Sequence, residues 1–326
     1  MEASLKHSFD MTLVGEVNLD LVLSGLPEEL PLERELIASG FSMTLGSSSA
    51  ILAHNMAKLG SNVGFQGQVG DDEMGRMAVE RLRAAGVDTR GISMATKGLS
   101  TGVTVLLPHG RQRHILTYLG AIATFSVSNV DIATLQRSRH FHLSSLFLQA
   151  GLRPHVRELF QQLRRAGLSI SLDTNDDPDD QWLGIEELLP LVDVLLPNEA
   201  EACRMTGCDD IHAALDHLTG AVPLVAVKCG ASGALVAQGG ERTHVPGVTV
   251  IPADTIGAGD SFNAGFLTAY LRGHGSIACA AAGNVCGALS TLRTGGTEAF
   301  CDDTLRASFL SEHGHAWLQQ SVEHAS

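Results

Sequence analysis

A chain of 326 residues is long enough for one large α/β domain or two small ones. Its 44% apolar content and 35 glycines suit an enzyme with a sizeable core and many tight turns. With 22 basic against 36 acidic residues the formal charge is −14, and no Lys/Arg block interrupts it, a field that repels phosphodiester backbones and disfavours nucleic acid as a partner.

Taken in order, the chain repeats a short β-branched run, a turn and a helical pattern. Thr12–Val14 opens as a strand, and Ala50–Leu59 follows as a helix ended by Gly60. Val63–Val69 is the next strand, with a helix over Met74–Ala84 stopped by Gly86. Then come strand His140–Leu143, helix His155–Ala166, strand Ser169–Leu172, strand Val192–Leu196, helix Glu199–Met205 and strand Val222–Val227. Strands separated by helices imply parallel pairing through right-handed crossovers. Gly233–Ala237 and Arg242–Val245 form a hairpin pattern, and two helices follow. The expected fold is one domain over 1–326, three-layer α/β and doubly wound around a mainly parallel sheet.

Residues 18–42 and 92–119 break the rhythm. Segments such as Thr101–Leu107 and Arg113–Tyr118 alternate without intervening helices, as antiparallel strands projecting from the main sheet would. A lid and a plain edge hairpin fit that pattern equally. A lid sheet would leave edges that a second subunit could cover, so a homodimer through it is an expectation.

Cys203, Cys208, Cys229, Cys279, Cys286 and Cys301 form no CxxC pair, which points to reduced thiols and a cytoplasmic setting. The amino terminus, with Glu2, Asp10 and Glu16, lacks the layout of a signal peptide. Residues 276–292 are apolar but consist mostly of Ala, Gly, Ser and Cys around Asn284. They are too short and weak for a membrane helix and read as a buried helix packed closely on a neighbour.

Ligands of parallel sheets bind where the strand carboxyl ends gather. After successive runs stand Ser144-Ser145, Asp173-Thr174-Asn175, Pro197-Asn198-Glu199 and Lys228-Cys229-Gly230. Ordinary turns and caps also favour such residues, so their value is cumulative.

The sharpest feature is Asp254-Thr-Ile-Gly-Ala-Gly-Asp260 ahead of the helical run Ser261–Leu271. Two glycines let the backbone pass close to a ligand, and a helix start presents free amides with the positive dipole end, an anion site. A carboxylate in that place is contradictory unless it serves chemistry. The contradiction resolves if Asp260 takes a hydroxyl proton while the amides of Ala258, Gly259 and Asp260 hold charge on a transferring group. The plain alternative is a glycine turn in which Asp260 merely caps the helix.

Asp254–Asp260, with Ala264-Gly265-Phe266-Leu267, resembles the carboxyl-terminal signature of the ribokinase-like (PfkB) carbohydrate kinases. Gly15-Glu-Val-Asn18-Leu-Asp20, Gly46 through Gly60, Val69 through Gly75, Asn198-Glu199-Ala200-Glu201 and Lys228 through Gly233 resemble that family's other elements in order. The resemblance runs from about Leu13 to about Leu310. It implies phosphate transfer from ATP to a sugar-like hydroxyl, with Asp260 as base and Gly257, Ala258 and Gly259 as anion hole. It places Asn18, Asp20, Gly46, Asn175 and Asp254 with the substrate. Asn198 and Glu201 are implied to hold Mg²⁺ and phosphate through water, although their spacing alone reads as a capping box. Lys228, Gly230, Gly233, Asn284, Gly295 and Gly296 are implied to line the nucleotide pocket. Asp254 either orients Asp260 or contributes to a monovalent-cation site. A nucleoside acceptor and a non-catalytic sugar or nucleotide sensor are the rival expectations.

The sequence departs from the family pattern where Ser47 follows Gly46 and Ile51 occupies the place of an Asn, which puts one substrate hydroxyl contact in doubt. Asp176-Asp177-Pro178 stands where many relatives carry an Arg; Arg111 and Arg113 of the expected lid offer positive charge instead. His140-x-His142 falls on one face of a strand, as a metal pair or as packed, hydrogen-bonded rings, the second being the commoner case.

Overall fold

In the computed structural model the described residues are 7–96, 98–109 and 112–319. Thirteen strands form two sheets. The large one contains β1 (Phe9–Val14), β4 (Val63–Val69), β5 (Asp88–Met94), β8 (Ser138–Ser144), β9 (Ser169–Asp173), β10 (Val194–Leu195), β11 (Leu224–Lys228), β12 (Gly233–Gln238) and β13 (Glu241–Pro246). The small one contains β2 (Asn18–Ser24), β3 (Gly40–Leu45), β6 (Gly102–His109) and β7 (Gln112–Tyr118).

In the large sheet the order is β13-β12-β11-β10-β9-β8-β1-β4-β5. All pairs from β5 to β11 are parallel; β12 alone runs against them, and β13, antiparallel to β12, returns to their direction. Strand order reverses between β1 and β8, and the carboxyl edge there is the ligand crevice of an open α/β sheet. The loops at that crevice hold Gly15–Val17 and Ser145.

Apolar clusters cover both faces. One gathers Phe65, Phe262, Phe266 and Phe300, the other Phe141, Phe160, Leu172 and Leu215. Helix Val156–Arg165 shows why: Val156, Leu159, Phe160 and Leu163 fall at one stripe's spacing and are buried, while its arginines face water. The expected close-packed helix is Ser276–Ser290, against Ala258–Leu271. A Cβ on Gly265 would stand 2.5 Å from the Ala282 carbonyl, so only glycine admits this approach. Among the described residues no helix is long and apolar enough to cross a membrane. All six cysteines are free thiols.

The small sheet, ordered β3-β2-β6-β7, is a separate layer over the crevice. Two corrections to the expected lid follow. Asp88–Met94 pairs with β4 in the main sheet, so the lid does not begin at 92. Nor is it wholly antiparallel, because β2 pairs with β6 in parallel. Arg111 lies outside the described residues.

Candidate active site

Gly257, at φ 69, precedes the helix Ala258–Leu271, and Asp260 sits in that helix's first turn, buried to 9% exposure. Its carboxyl is pushed up to about 6, by burial first and the charge of Asp173 second, while Lys228, a bond from Ser48 and Arg113 pull the other way. The loop is tied from several sides. Asp254 accepts the amides of Ile256 (2.9 Å) and Gly295 (3.0 Å). Asn55 donates to Ser261 Oγ and to the Gly296 carbonyl, and Ser261 donates to the Gly257 carbonyl at 2.7 Å. Beneath lies Ile51: a Cβ on Gly257 or Gly296 would stand 3.1 or 2.7 Å from its Cδ1. The departure at Ile51 is therefore a packing residue under the two glycines. Both oxygens of Asp254 are engaged by amides, which ties the loop.

Lys228 turns away from the expected nucleotide-side loop. Its ammonium donates to Asp173 Oδ2 at 2.6 Å, and a Cβ on Gly259 would lie 3.6 Å from Nζ. Asp173 Oδ2 also accepts from Asn263 Nδ2 at 2.5 Å, and Asp173 is fully buried. An ammonium, a helix start and the Asp260 carboxylate thus share one spot. Asn198 and Glu201 do form a capping box: Glu201 Oε2 accepts the Asn198 amide at 2.8 Å, and Asn198 Oδ1 the Glu201 amide at 2.9 Å. Glu201 is nonetheless raised to about 7, by burial and then by Asp173. Among the described residues no group of three His, Cys, Asp or Glu side chains is arranged to hold a metal ion. A hydrated Mg²⁺ needs only one or two carboxylates, and acids that raise one another beside the anion site fit such a cation.

In the small sheet Asn18 donates to Thr104 Oγ1 at 2.8 Å, while its buried Oδ1 lacks a partner. Asp20 is raised to about 7, by burial first and Asp260 second. A Cβ on Gly46 would stand 2.1 Å from Asp20 Oδ1 and 2.4 Å from Asn18 Oδ1, so glycine leaves this cradle open. Ser47, at φ 63, caps the helix Ser48–Lys58 by accepting the Ala50 amide and donates to the Glu16 carbonyl. Asn175, at φ 52, donates to Ser48 Oγ and accepts from the Ser145 amide, joining three loops of the crevice.

Farther along, Gly230 and Gly233 take positive φ around the turn after β11. Asn284 Nδ2 donates to the carbonyls of Val245 and Pro246, tying its helix to β13. Asn263 and Glu16 were not singled out from the sequence, and Asp173 was named there only as one of the polar residues at a strand end. Asp173 and Asn263 belong to the Lys228 cluster. Glu16, at the strand-order reversal, is buried and accepts the Ser49 amide and hydroxyl. Glu16 stood inside the quoted amino-terminal motif, directly after Gly15 at the end of the first strand run.

Fold and site together define a small-molecule kinase with a covering β sheet. The chain belongs to the pfkB family of carbohydrate kinases, whose model matches residues 9–303. It is 30% identical over 302 residues to an ATP-dependent ribose-1-phosphate kinase of Halopiger xanaduensis, covering 91% of this chain and 97% of that one. A fructokinase of Klebsiella pneumoniae is 31% identical over 281 residues, 80% of this chain and 91% of its own. Among solved structures, an Escherichia coli protein assigned as ribokinase II, in complex with ATP and Mg²⁺, superimposes with a TM-score of 0.80 at 26% identity, covering 94% of this chain and 100% of that one.

Proposed function

We propose that this chain transfers the γ-phosphate of ATP, held with Mg²⁺, to a hydroxyl of a sugar or sugar-like acceptor, with Asp260 as general base. The observation that carries the reading is the Asp260 carboxylate in the first turn of a glycine-led helix with the Lys228 ammonium beside Gly259. Mg·ATP supplies the phosphoryl group and part of the charge compensation. Asn18, Asp20 and Gly46 shape the cradle that presents the acceptor hydroxyl. Asp260 accepts the hydroxyl proton as the new P–O bond forms and the bond to the β-phosphate oxygen breaks. The Gly259 and Asp260 amides, with Lys228, meet the charge spread over the moving group. Glu201 and Asn198 would orient the hydrated metal. Water is kept out by the lid, where Arg113 Nη1 bonds Thr255 Oγ1 at 3.1 Å and Val22 and Leu106 pack on Ile256.

Asp260→Asn should lower kcat roughly 10²–10⁴-fold while ATP affinity stays within a few-fold, as measured by ADP release and nucleotide titration. A variant that keeps its rate sinks the base assignment. Ribose, ribose 1-phosphate, hexoses, 2-keto-3-deoxygluconate and nucleosides form the acceptor panel. Relatives are named as kinases of ribose 1-phosphate, fructose, ribose and 2-dehydro-3-deoxygluconate, and Arg113 at the lid gives a phosphorylated acceptor a cation to meet. The same reading carries a homodimer, because the lid's outer face is apolar and its outermost strands β3 and β7 present edges.

A further inference from the structure

His140-x-His142 has no part in the phosphotransfer chemistry, yet its surroundings are ordered toward it. On β8, His140, His142 and Ser144 share a face, and in register they stand opposite Ser169, Ser171 and Asp173 of β9. Four contacts join the side chains in one line. Ser169 Oγ meets His140 Nδ1, His140 Nε2 meets Ser171 Oγ, Ser171 Oγ meets His142 Nδ1, and His142 Nε2 meets Ser144 Oγ, each at 2.7 Å. His140, Ser171, His142 and Ser144 are buried, and the line ends opposite Asp173, the carboxylate that holds Lys228 and Asn263. Near its other end the Tyr270 ring meets His140 edge-on at 5.8 Å. Tyr270 belongs to the helix that carries Asp260 and Asn263.

Hydrogen counting restricts this line to two states. A serine hydroxyl has one hydrogen, and a neutral imidazole has one N–H. Burial lowers both rings to about 3, so both are neutral near pH 7. Ser171 lies between two ring nitrogens; it donates to one and must accept from the other. If it donates to His142, both rings carry their hydrogen on Nε2, His142 donates to Ser144, and the Ser144 hydroxyl is free to donate elsewhere. If it donates to His140, both rings carry hydrogen on Nδ1, and Ser144 uses its hydrogen on His142. In that second state Ser169 can donate to the Arg139 carbonyl, 3.4 Å away. The two rings must share a tautomer.

The Asp173 carboxylate gives the two states different values. While Lys228 is bonded to it, the buried charge is matched. When Lys228 turns to the moving phosphate, Asp173 loses part of its compensation, and an unpaired buried carboxylate is costly. We propose that Ser169, His140, Ser171, His142 and Ser144 form a single-polarity hydrogen-bond chain that positions the Asp173–Lys228 pair, reversing to offer the Ser144 hydroxyl to Asp173 when Lys228 engages phosphate. This rests on the reading of Lys228 as a phosphate contact. His142 and Ser171 are then positioning residues.

The test is long-range ¹H–¹⁵N spectroscopy of ¹⁵N-histidine-labelled enzyme, free and with Mg²⁺ and a non-hydrolysable ATP analogue. Both rings should be Nδ1–H in the free enzyme and Nε2–H in the complex. Opposite tautomers in either state overturn the chain, and shared tautomers that ignore the nucleotide overturn its coupling to Lys228. Ser171→Ala removes the hydroxyl that bonds both rings and should lower kcat about tenfold with the acceptor KM unchanged; full kcat overturns the positioning role. Failure of the underlying reading shows separately. Lys228→Met with unaltered kcat and ATP KM removes the phosphate contact, while the shared tautomer of the free enzyme does not depend on it.

Discussion

At the scale of single residues the site is a crowd of acids with one ammonium among them. Asp260 is raised to about 6, Glu201 and Asp20 to about 7, and in each case burial leads and a neighbouring carboxylate follows. The proposed base, Asp260, can take a proton only when ionised, so kcat/KM should fall as pH drops through about 6 to 7, with the apparent values belonging to the group. Lys228 lowers both Asp260 and Glu201. Lys228→Met should therefore move the acid limb of the pH–rate profile upward; an unmoved limb argues against Lys228 as their shared counterion. Gly46→Ala places a methyl where Asp20 Oδ1 lies 2.1 Å away, and should raise the acceptor KM at least tenfold while the ATP KM holds. An unchanged acceptor KM would separate Gly46 from the cradle. Asp260 stood out by the local spacing of its glycines, and Gly46 only through the resemblance of its segment to a family element. Asp173 was legible only as a polar strand end and not by its pairing: such an Asp looks alike in sequence whether it caps a turn or pairs, and its partners Lys228 and Asn263 lie 55 and 90 residues away. The capping box at Asn198 and Glu201 was readable from spacing alone, and the field that raises Glu201 was not, since it comes from Asp173.

Among elements, runs with one buried stripe were legible. Strand Val63–Val69 matches its expected bounds, and helices Glu73–Ala84 and Val156–Arg165 fall within two residues of theirs. The lid was legible as strands but not as pairing. Its parallel contact joins Asn18–Val22 to Gly102–Leu106, a match over some eighty residues that no local period encodes. The β8–β9 ladder has a thermodynamic consequence too. His140 and His142 are lowered to about 3 from the ordinary 6.5. The folded state rejects protons that the unfolded chain accepts, so stability is fully present above about 6.5 and is lost as pH falls toward 3. Each ring contributes up to about 1.4 kcal/mol per pH unit within that window. Urea midpoints should drop between pH 6.5 and 5, and His142→Gln, though less stable at pH 7, should show a shallower drop. An equal slope would mean that other groups carry the acid sensitivity.

For the molecule as a whole, the lid has two faces with different duties, and strand alternation assigns them. Asp20, Val22, Thr44, Thr104 and Leu106 alternate onto the buried face, toward the crevice. The alternate positions turn outward, where Phe41, Leu116 and Tyr118 are 66%, 56% and 54% exposed. An apolar sheet face bordered by open strands is an unstable surface for a lone subunit in water, and a second copy laid against it removes both problems. If the two lids cover each other, a charge on that face should split the pair without reaching the acceptor cradle. Phe41→Glu should therefore run at 34.4 kDa in size-exclusion chromatography with light scattering, and the parent at about twice that mass. The variant should retain nucleotide binding, because Lys228, Asp173 and the Gly257 loop all belong to the main domain. A parent that runs as a monomer at micromolar concentration would leave the outer face without a partner of its own kind.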